Sequence, residues 1–315
     1  MQRPRVSVVL PVWNGEKYFA EAIRSILDQT FESFELLIVD DGSTDRTPHI
    51  AEQYGAMDSR VRLVRTKHGG IANALNTGFR QARASYVARM DADDIALPSR
   101  LQKQVDYLDE HQQCVVVGSD AGAIDENEND LGVIDFPSTH AELVELLLNG
   151  RSPFLHPAVV MRRDAVHAVG GYRPDLCPSE DYELWLRLIH SGEFASIPER
   201  LLCYRLHRNS VCMQNLHLQL TTTRTQLNAA RAKIGWQALR RQVRIKKQSA
   251  LAVYHNRCSR TALKSGRRAL AISHAFSGIT SAPFWVQPYT ALAACALPVR
   301  VLPRLIKCAA WLRTI

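Results

Sequence analysis

Short apolar runs alternate with stretches of helical periodicity over the first 90 residues. Between the first two runs, apolar residues recur at the spacing of one helix face, at Phe19, Ala22, Ile23, Ile26 and Leu27. This alternation of strand and helix predicts an α/β fold with a mainly parallel, Rossmann-like sheet flanked by helices. The runs typical of buried strands are VSVVL (6–10), LLIVD (36–40), VRLVRT (61–66) and SYVARM (85–90).

The pattern continues with further predicted elements as far as residue 211. Strands are expected at 114–118 and 157–161, with a polar, acidic loop at 119–135 between them. One helix is expected to open with Thr47 as its N-cap and Pro48 as its first residue, and another to begin at Ser179 as a fair N-cap and close at Gly192. We therefore expect one domain over residues 1–211, with halves at about 1–118 and 119–211.

Residues 212–315 differ in character and are predicted to form a basic, helical C-terminal extension. All 31 Asp and Glu lie at or before Glu199, together with 19 Lys and Arg, so this part carries a net charge of −12. Arg200 to Ile315 contains 20 Lys and Arg and no acid, whereas the whole chain carries +8. Such asymmetry favours a polyanionic partner, either an anionic lipid surface or nucleic acid.

A stretch without Asp, Glu, Lys or Arg, residues 269–299, is long enough to cross a bilayer. Three prolines interrupt it, so we expect an element that lies in the membrane interface, although a spanning helix and a soluble helical subdomain remain alternatives. In the interfacial arrangement, aromatic rings sit at the headgroup level and cations face anionic lipid. The residues concerned are Trp285, Tyr289 and Trp311, and Arg300, Arg304, Lys307 and Arg313.

The cysteines and the N-terminus indicate a cytoplasmic protein. The seven cysteines are odd in number and form no C-x-x-C pair, which argues against a disulfide framework or a zinc ribbon. The first residues, MQRPRVSVVLPVWNGE, contain no sustained apolar segment of the secretory kind.

Acidic residues cluster where predicted strands end. MDADD places Asp91, Asp93 and Asp94 directly after a strand, and Asp40 and Asp41 follow another. A solvated acidic turn is one interpretation. Because ligands bind at the carboxyl ends of parallel strands, and crowded carboxylates suit a cation, a metal or nucleotide site is the other.

Four segments, in this order, resemble family 2 of the inverting glycosyltransferases, of the bacterial surface-glycan type. The resemblance covers about residues 5–210 and implies the GT-A fold. The segments are VSVVLPVWNGEKYFAEAIRSILDQTFESFELLIVDDGSTDRT, HGGIANALNTG, MDADD followed by LPSRL, and GGYRPDLCPSEDYELWLRL.

The resemblance implies a donor site for a nucleotide-sugar, with UDP as the favoured carrier on family grounds and a dTDP sugar as the alternative. Asp93 and Asp91 correspond to the Asp-x-Asp signature that holds Mg²⁺ or Mn²⁺, and His207, in YRLHRNSV, is a further candidate ligand. A structural role for His207 remains an equal alternative. The residues expected to bind the nucleotide-sugar are Pro11, Asn14, Glu16, Asp40, Asp41, Gly70, Asn76, Arg89 and Asp91.

Glu180 and Asp181 match the acidic pair of the family, in which the Asp is the catalytic base. Asp181 is expected to take the proton of the acceptor hydroxyl, with Glu180 and Trp185 shaping the acceptor side. Taken alone, the two acids could equally complement the dipole of the helix they begin.

The implied function is addition of one hexose or N-acetylhexosamine to a lipid-linked or surface-polysaccharide precursor, such as lipopolysaccharide, at the inner face of the membrane. Without Q-x-x-R-W and an array of membrane helices, single addition is favoured over polymerisation. A polyprenyl-phosphate sugar synthase of the same fold is the alternative.

Three other classes fit less well. If the basic tail bound nucleic acid, its long apolar run would have no favourable contact with the phosphate backbone, so no nucleic-acid partner is expected. The turn after the first strand lacks G-x-G-x-x-G, which argues against a dinucleotide-dependent oxidoreductase. The presence of all the acids named above argues against an inactive scaffold.

Overall fold

Two compact units make up the chain. The structure, a computed structural model, describes residues 3–210, 214–233 and 250–281, together with residues 292 and 295. The first unit comprises Met1–Ala121 and Asp135–Tyr204, and the second comprises Gly122–Ile134 and Arg205–Ile315. The segment Gly122–Ile134 therefore groups with the C-terminal helices.

A nine-stranded sheet in the order β3-β2-β1-β4-β8-β6-β9-β5, with β7 paired to β6, runs through the fold. Strands β1 to β4 are parallel, and Val8 of β1 lies opposite Leu36 of β2 and Ala88 of β4. Strands β1, β2 and β4 are mostly apolar and wholly buried because helices cover both faces of a parallel sheet, whereas β3, at the end of the sheet, is largely half-buried. The strands are β1 (Val6–Val12), β2 (Phe34–Asp40), β3 (Val61–Arg65), β4 (Tyr86–Arg89), β5 (Ile95–Ala96), β6 (Cys114–Ile124), β7 (Asp130–Ile134), β8 (Val160–Arg162) and β9 (Glu193–Arg205).

The predicted parallel sheet is confirmed for β1 to β4. Beyond β4 the neighbours run antiparallel, in the pairs β4 with β8, β8 with β6, and β9 with β5. Two of these strands, β5 and β9, were not predicted. Strand β5 has only two residues, and β9 begins in a mixed polar sequence, EFASIPER.

Helices pack against the sheet through the apolar faces that the sequence indicates. In α1, Phe19, Ala22, Ile23 and Ile26 are buried as predicted, and Leu27 is half-buried. Short 3₁₀ helices span His156–Ala158 and Pro174–Leu176. The α-helices are α1 (Phe19–Leu27), α2 (Thr47–Met57), α3 (Ile71–Gln81), α4 (Arg100–Glu110), α5 (His140–Leu148), α6 (Arg163–Ala168), α7 (Glu180–Leu188), α8 (Leu216–Lys233), α9 (Ala250–Lys264) and α10 (Arg268–Ser281).

Two predicted helix ends differ from the structure. Helix α2 begins at Thr47 itself, with Arg46 as the N-cap, and the Asp45 carboxylate accepts the Thr47 N–H at 2.9 Å. Helix α7 begins after Ser179 as predicted but ends at Leu188. Gly192 has a packing role instead, since a Cβ there would lie 2.5 Å from Val115 Cγ1.

The predicted loop at 119–135 is largely a β-hairpin. Strand β6 continues to Ile124, and β7 returns from Asp130. The Asp125 carboxylate closes the turn by accepting the N–H groups of Asn127 and Asn129, each at 2.9 Å. Side chain-to-backbone hydrogen bonds of this kind let an acidic segment form a tight turn.

In the second unit this hairpin lies against α9 and α10, which are separated at Gly266 with φ +78°. Arg267 forms an ion pair with Asp130, and His274 Nε2 lies 3.3 Å from Asp125 Oδ2. Part of the positive charge of the acid-free segment thus neutralises the acidic hairpin.

None of the helices in the described ranges combines the length and apolar character that a bilayer crossing needs. The residues predicted to lie in the membrane interface, Trp285, Tyr289, Trp311, Arg300, Arg304, Lys307 and Arg313, fall outside the described residues, as does most of 269–299.

Candidate active site

The carboxyl ends of β1, β2 and β4 meet at one edge of the sheet. Because these strands are parallel and in register, the residues that follow them are brought to the same side. The edge therefore gathers most of the residues singled out in the sequence: Asn14 and Glu16 after β1, Asp41 after β2, and Asp91, Asp93 and Asp94 after β4.

Asp91, Asp93 and Asp94 form a compact group of carboxylates. One oxygen from each lies within 4.8 Å of the others, with Asp94 buried and the other two half-buried. Three carboxylates at this spacing repel one another unless a cation lies between them. Hard oxygen ligands in this number fit Mg²⁺ or Mn²⁺.

Arg89, the last residue of β4, lies beneath this group. Its side chain is almost wholly buried and forms an ion pair with Asp91. Burial raises the pKa of Asp91, Arg89 opposes this, and the nearby charges of Asp93 and Asp181 raise that pKa further. Arg89 Nε has no hydrogen-bond partner among the described residues.

Asp181 and Glu180 begin α7. Burial raises the pKa of both carboxyl groups, and that of Glu180 reaches about 7, with the Asp181 charge as the second cause. Asp181 Oδ1 accepts the N–H of Tyr182 at 2.7 Å, which favours its charged form. Glu180 Oε2 is buried and has no hydrogen-bond partner among the described residues.

The two acidic groups share one electrostatic environment. The Asp181 charge acts on Asp91, and the charges of Asp181, Glu180 and Asp91 all act on the phenol of Tyr172. The structure thus brings together Asp91, Arg89, Glu180 and Asp181, which stand far apart in the sequence.

Asp41 is engaged by the protein itself. Its buried carboxylate accepts the N–H of Gly69 at 3.0 Å, the N–H of Gly70 at 2.8 Å and the hydroxyl of Thr66 at 3.0 Å. It also lies 3.0 Å from His68 Nδ1. Asp41 therefore anchors the loop that precedes α3, and its predicted contact with the nucleobase stays a prediction.

The other predicted donor residues hold loops at this edge. Asn14 Oδ1 accepts the N–H of Thr44 at 2.8 Å, and a Glu16 carboxylate oxygen accepts the N–H of Arg46 at 3.0 Å. Asp40 accepts the N–H of Ser43 at 3.0 Å.

Pro11 and Gly70 occupy backbone positions beside the same loops. Pro11 is buried within β1, and Gly70, with φ +86°, is the residue before the first turn of α3. Neither residue offers a side-chain polar group, so any contact with a nucleotide would be through backbone or apolar surface.

Asn76 lies in the middle of α3, and its side-chain amide is occupied. Nδ2 donates to the carbonyl of Tyr172 at 2.8 Å, and Oδ1 accepts the N–H of Tyr172 at 2.9 Å. His207 belongs to the second unit, so its predicted role as a metal ligand stays a prediction.

An aromatic pair at the edge was missed by the sequence reasoning. The Trp13 indole is 53% exposed and stacks on the His68 ring, with centroids 4.4 Å apart. The available signal in the sequence was a tryptophan directly after a predicted buried strand, in a loop that contains glycine, since rings of this size are commonly buried in the core instead.

A buried histidine and tyrosine were missed as well. His156 Nε2 lies 2.8 Å from the Tyr172 hydroxyl, and burial, with the Arg89 charge, holds the pKa of His156 well below its usual value. The ring of Trp185 packs edge-on against His156, and its Nε1 has no hydrogen-bond partner among the described residues. The sequence carried no signal for this pair, because 16 residues separate its members.

Comparison with known proteins agrees with this arrangement. The sequence profile described as Glycosyl transferase family 2 matches residues 7–170. An uncharacterized glycosyltransferase of Haemophilus influenzae is 34% identical over 70% of this chain and 71% of its own length. The O-antigen biosynthesis glycosyltransferase WbnJ of Escherichia coli is 33% identical over 65% of this chain and 81% of its own.

A solved structure extends the comparison to the fold. S. aureus TarS 1–349, crystallised in complex with UDP-GlcNAc, superposes with a TM-score of 0.58 at 18% identity, covering 92% of this chain and 88% of that one. This similarity concerns the fold alone and identifies it as the GT-A fold. The family match over residues 7–170, more than half of the sequence, establishes that the chain belongs to glycosyl transferase family 2.

Proposed function

We propose that this glycosyltransferase moves one sugar, with inversion, from a nucleotide-sugar to a hydroxyl group of a lipid-linked or surface-polysaccharide precursor. The observation that carries the proposal is the group of Asp91, Asp93 and Asp94, whose carboxylate oxygens lie within 4.8 Å of one another at the carboxyl edge of the parallel strands, with Asp181 near enough for its charge to raise the pKa of Asp91. A donor diphosphate and an acceptor hydroxyl need these two kinds of acidic group side by side.

Asp181 is the proposed general base. One of its oxygens is fixed by the Tyr182 N–H, so the carboxylate is oriented. In the reaction the acceptor oxygen forms a bond to the anomeric carbon, its proton passes to Asp181, and the bond between that carbon and the diphosphate oxygen breaks. The bonding electrons leave with the nucleoside diphosphate.

Asp91 and Asp93, with Asp94, are the proposed ligands of a divalent cation. The cation, when bound, would neutralise negative charge on the diphosphate. Arg89 would hold the Asp91 carboxylate in place through their ion pair. The donor set of carboxylates favours Mg²⁺ or Mn²⁺ over softer metals.

The remaining polar atoms suit the sugar and the nucleotide. Arg89 Nε, Glu180 Oε2 and Trp185 Nε1 are buried without a partner among the described residues, which is uncommon in folded proteins and fits hydroxyl groups of a substrate. The Trp13 and His68 rings offer an aromatic face for a nucleobase. UDP is the proposed carrier, since TarS was crystallised with UDP-GlcNAc.

WbnJ acts in O-antigen biosynthesis, which supports a surface-polysaccharide acceptor. The acid-free segment after Glu199 supports a place at the inner face of the cell membrane, because its cations would attract the enzyme to anionic lipid. A hexose or an N-acetylhexosamine would suit the same groups.

Calorimetric titration tests the donor site. The protein is titrated with UDP, dTDP and GDP, each with Mn²⁺ and with EDTA. We expect metal-dependent binding of one nucleotide, UDP foremost, and loss of that binding in Asp93→Ala. Asp106→Ala, an exposed aspartate on α4, is the matched control and should bind as the wild type does. Folded protein that binds none of the three nucleotides would contradict the proposal.

A further inference from the structure

The segment Val169–Tyr172 is held from two sides. From α3, the Asn76 amide makes two hydrogen bonds to the backbone of Tyr172, at 2.8 and 2.9 Å. From α7, Arg187 donates to the carbonyl of Val169 and, at 2.7 Å, to the carbonyl of Gly171. Both side chains reach residues distant in the sequence.

Arg187 is itself fixed by its own helix. Its Nε donates to Glu183 Oε1 at 2.8 Å, and its Nη2 donates to Glu183 Oε2 at 2.6 Å. A guanidinium held in two directions by a carboxylate loses little further entropy when it binds the carbonyl groups. Asp181 stands at the start of this helix, less than two turns before Arg187.

Two glycines make the close approach possible. Gly170 and Gly171 have φ of +85° and +72°, which other residues rarely adopt. A Cβ on Gly171 would lie 2.7 Å from Asn76 Oδ1, whereas a Cβ on Gly170 would meet nothing within 4 Å. Only Gly171 is therefore required by the contact with Asn76.

The segment delivers Tyr172 to the candidate active site. The Tyr172 side chain is buried, and its hydroxyl lies 2.8 Å from His156 Nε2. Burial raises the pKa of its phenol, and the charges of Asp181, Glu180 and Asp91 raise that pKa further. The residue before helix α3 is Gly70, and its N–H donates to the Asp41 carboxylate at 2.8 Å.

We propose that Asn76 and Arg187 are positioning residues of the transferase. They lock Val169–Tyr172 between α3 and α7, and they thereby hold Asp181 and Tyr172 in place relative to Asp91. Asn76 thus acts through the protein backbone and makes no contact with the nucleotide. This inference rests on the proposed function, since it assumes that Asp181 is the base.

The test separates nucleotide binding from turnover. The affinity for UDP with Mn²⁺ is measured by calorimetry. The rate constant kcat is measured, per site that binds UDP, as UDP release from UDP-GlcNAc with water in the place of the acceptor hydroxyl. Asn76→Ala should leave the Kd for UDP within about twofold and lower kcat by about 10- to 100-fold, because small misplacements of a catalytic group cost this much. Thr77→Ala, the next residue on α3, should match the wild type.

Gly171→Ala and Gly170→Ala form a matched pair. Both pay the backbone cost of a positive φ, but only the first meets Asn76, so only the first should lower kcat as Asn76→Ala does. In the double variant Asn76→Ala with Gly171→Ala, the effects on kcat should be less than additive, because the clash has gone.

Three results would overturn the inference. A rise of about tenfold or more in the Kd for UDP in Asn76→Ala would mean that Asn76 contacts the nucleotide. Wild-type kcat in both Asn76→Ala and Arg187→Met would remove any positioning role. Equal losses of kcat in Gly170→Ala and Gly171→Ala would mean that backbone strain, and not the contact with Asn76, causes the loss.

If the wild type neither binds UDP nor releases it, the proposed function is contradicted, but the positioning role can still be tested by hydrogen exchange. Amide exchange at Val169–Tyr172 and in the first turn of α7 should rise in Asn76→Ala and stay unchanged in Thr77→Ala. Unchanged exchange in Asn76→Ala would also overturn the positioning role.

Discussion

Glu180 and Asp181 are neighbours in the chain, yet their surroundings suit them to different protonation states. Burial raises the pKa of both, and the Asp181 charge raises the pKa of Glu180 further, whereas the Tyr182 N–H, which donates to Asp181 Oδ1 at 2.7 Å, lowers the pKa of Asp181. Of two close carboxyl groups, the one that ionises first raises the pKa of the other, so Glu180 keeps its proton to a higher pH. Asp181 is therefore the carboxylate that can take a proton from an acceptor.

Replacing the base tests this assignment. Asp181→Asn should leave the affinity for UDP with Mn²⁺ nearly unchanged and lower kcat by about 10²- to 10⁴-fold, the range that general-base catalysis contributes. Asp175→Asn, at an exposed aspartate on the preceding 3₁₀ helix, is the control. Nearly full activity in Asp181→Asn would refute the role of Asp181.

The raised pKa of Glu180 predicts how stability depends on pH. The pKa is about 7 in the folded protein against 4.5 ordinarily, so the folded state holds a proton that the unfolded chain releases. Stability from the neutral side chain is therefore complete below about pH 4.5 and is lost as the pH rises through about 7. Glu180→Gln, which stays neutral, should be more stable than the wild type at about pH 8, by at most about 3 kcal/mol.

Thermal unfolding at several pH values measures this difference. The advantage of Glu180→Gln should shrink toward zero as the pH falls below about 4.5, where the wild-type carboxyl is neutral in both the folded and the unfolded states. Glu110→Gln, at an exposed glutamate at the end of α4, should show no such dependence. An advantage that is constant with pH would point to packing and away from titration.

At the scale of elements, the sequence carried enough to predict β1 to β4 and the helices between them. Continuous apolar runs specify buried parallel strands, and the spacing in α1 specifies its buried face. The hairpin of β6 and β7 was missed because its strands are stabilised by pairing with each other and its turn by Asp125, and neither gives an apolar period.

In the candidate site, too, residues in local sequence motifs could be predicted, whereas contacts between distant residues could not. Asp91, Asp93, Glu180 and Asp181 could be found because ordered motifs carry them. The contact of Asn76 with Tyr172 spans 96 residues, and no local pattern can reveal such a pair. Reactive groups are therefore easier to predict from the sequence than the residues that hold them in place.

Two helical glycines offer a test of how α3 packs. Gly78 lies against β1, and a Cβ there would be 2.3 Å from Val9 Cγ1, whereas Gly55 in α2 has nothing within 4 Å. Gly55→Ala should stabilise the protein by about 0.5–1 kcal/mol through helix propensity. Gly78→Ala should destabilise it by about 1–3 kcal/mol, because overpacking outweighs that gain.

Chemical denaturation of the two variants and the wild type measures both effects. The opposite signs are the informative result, since propensity alone would stabilise both variants. Stabilisation by Gly78→Ala would mean that α3 moves away from β1 at little cost.

At the scale of the whole molecule, charge is divided along the sequence. The acids end at Glu199, and the segment that follows is purely cationic. Within the second unit, Arg267 and Arg208 are paired with the acidic hairpin, at Asp130 and Glu126. These cations stabilise the protein itself, so the basic composition of the segment overstates the charge that remains for a membrane.

Membrane attachment should therefore depend on the last part of the chain. Residues 282–315 contain Arg300, Arg304, Lys307 and Arg313 and the aromatic residues predicted for the interface, and they contain no acid. A chain that ends at Ser281 keeps α9, α10 and their contacts with the hairpin. We expect this shortened chain to bind UDP with Mn²⁺ as the full chain does but to lose sedimentation with vesicles rich in phosphatidylglycerol.

The composition of the vesicles and the salt concentration identify the force involved. Binding of the full chain should weaken with salt and be poor on phosphatidylcholine alone, because attraction to anionic headgroups is screened within about 10 Å at 0.1 M salt. The aromatic residues add apolar binding that salt does not screen, so a fraction should persist. If the chain that ends at Ser281 sediments as fully as the intact chain, the attachment lies in the helices of the second unit or in the first unit, and the proposed role of residues 282–315 is wrong.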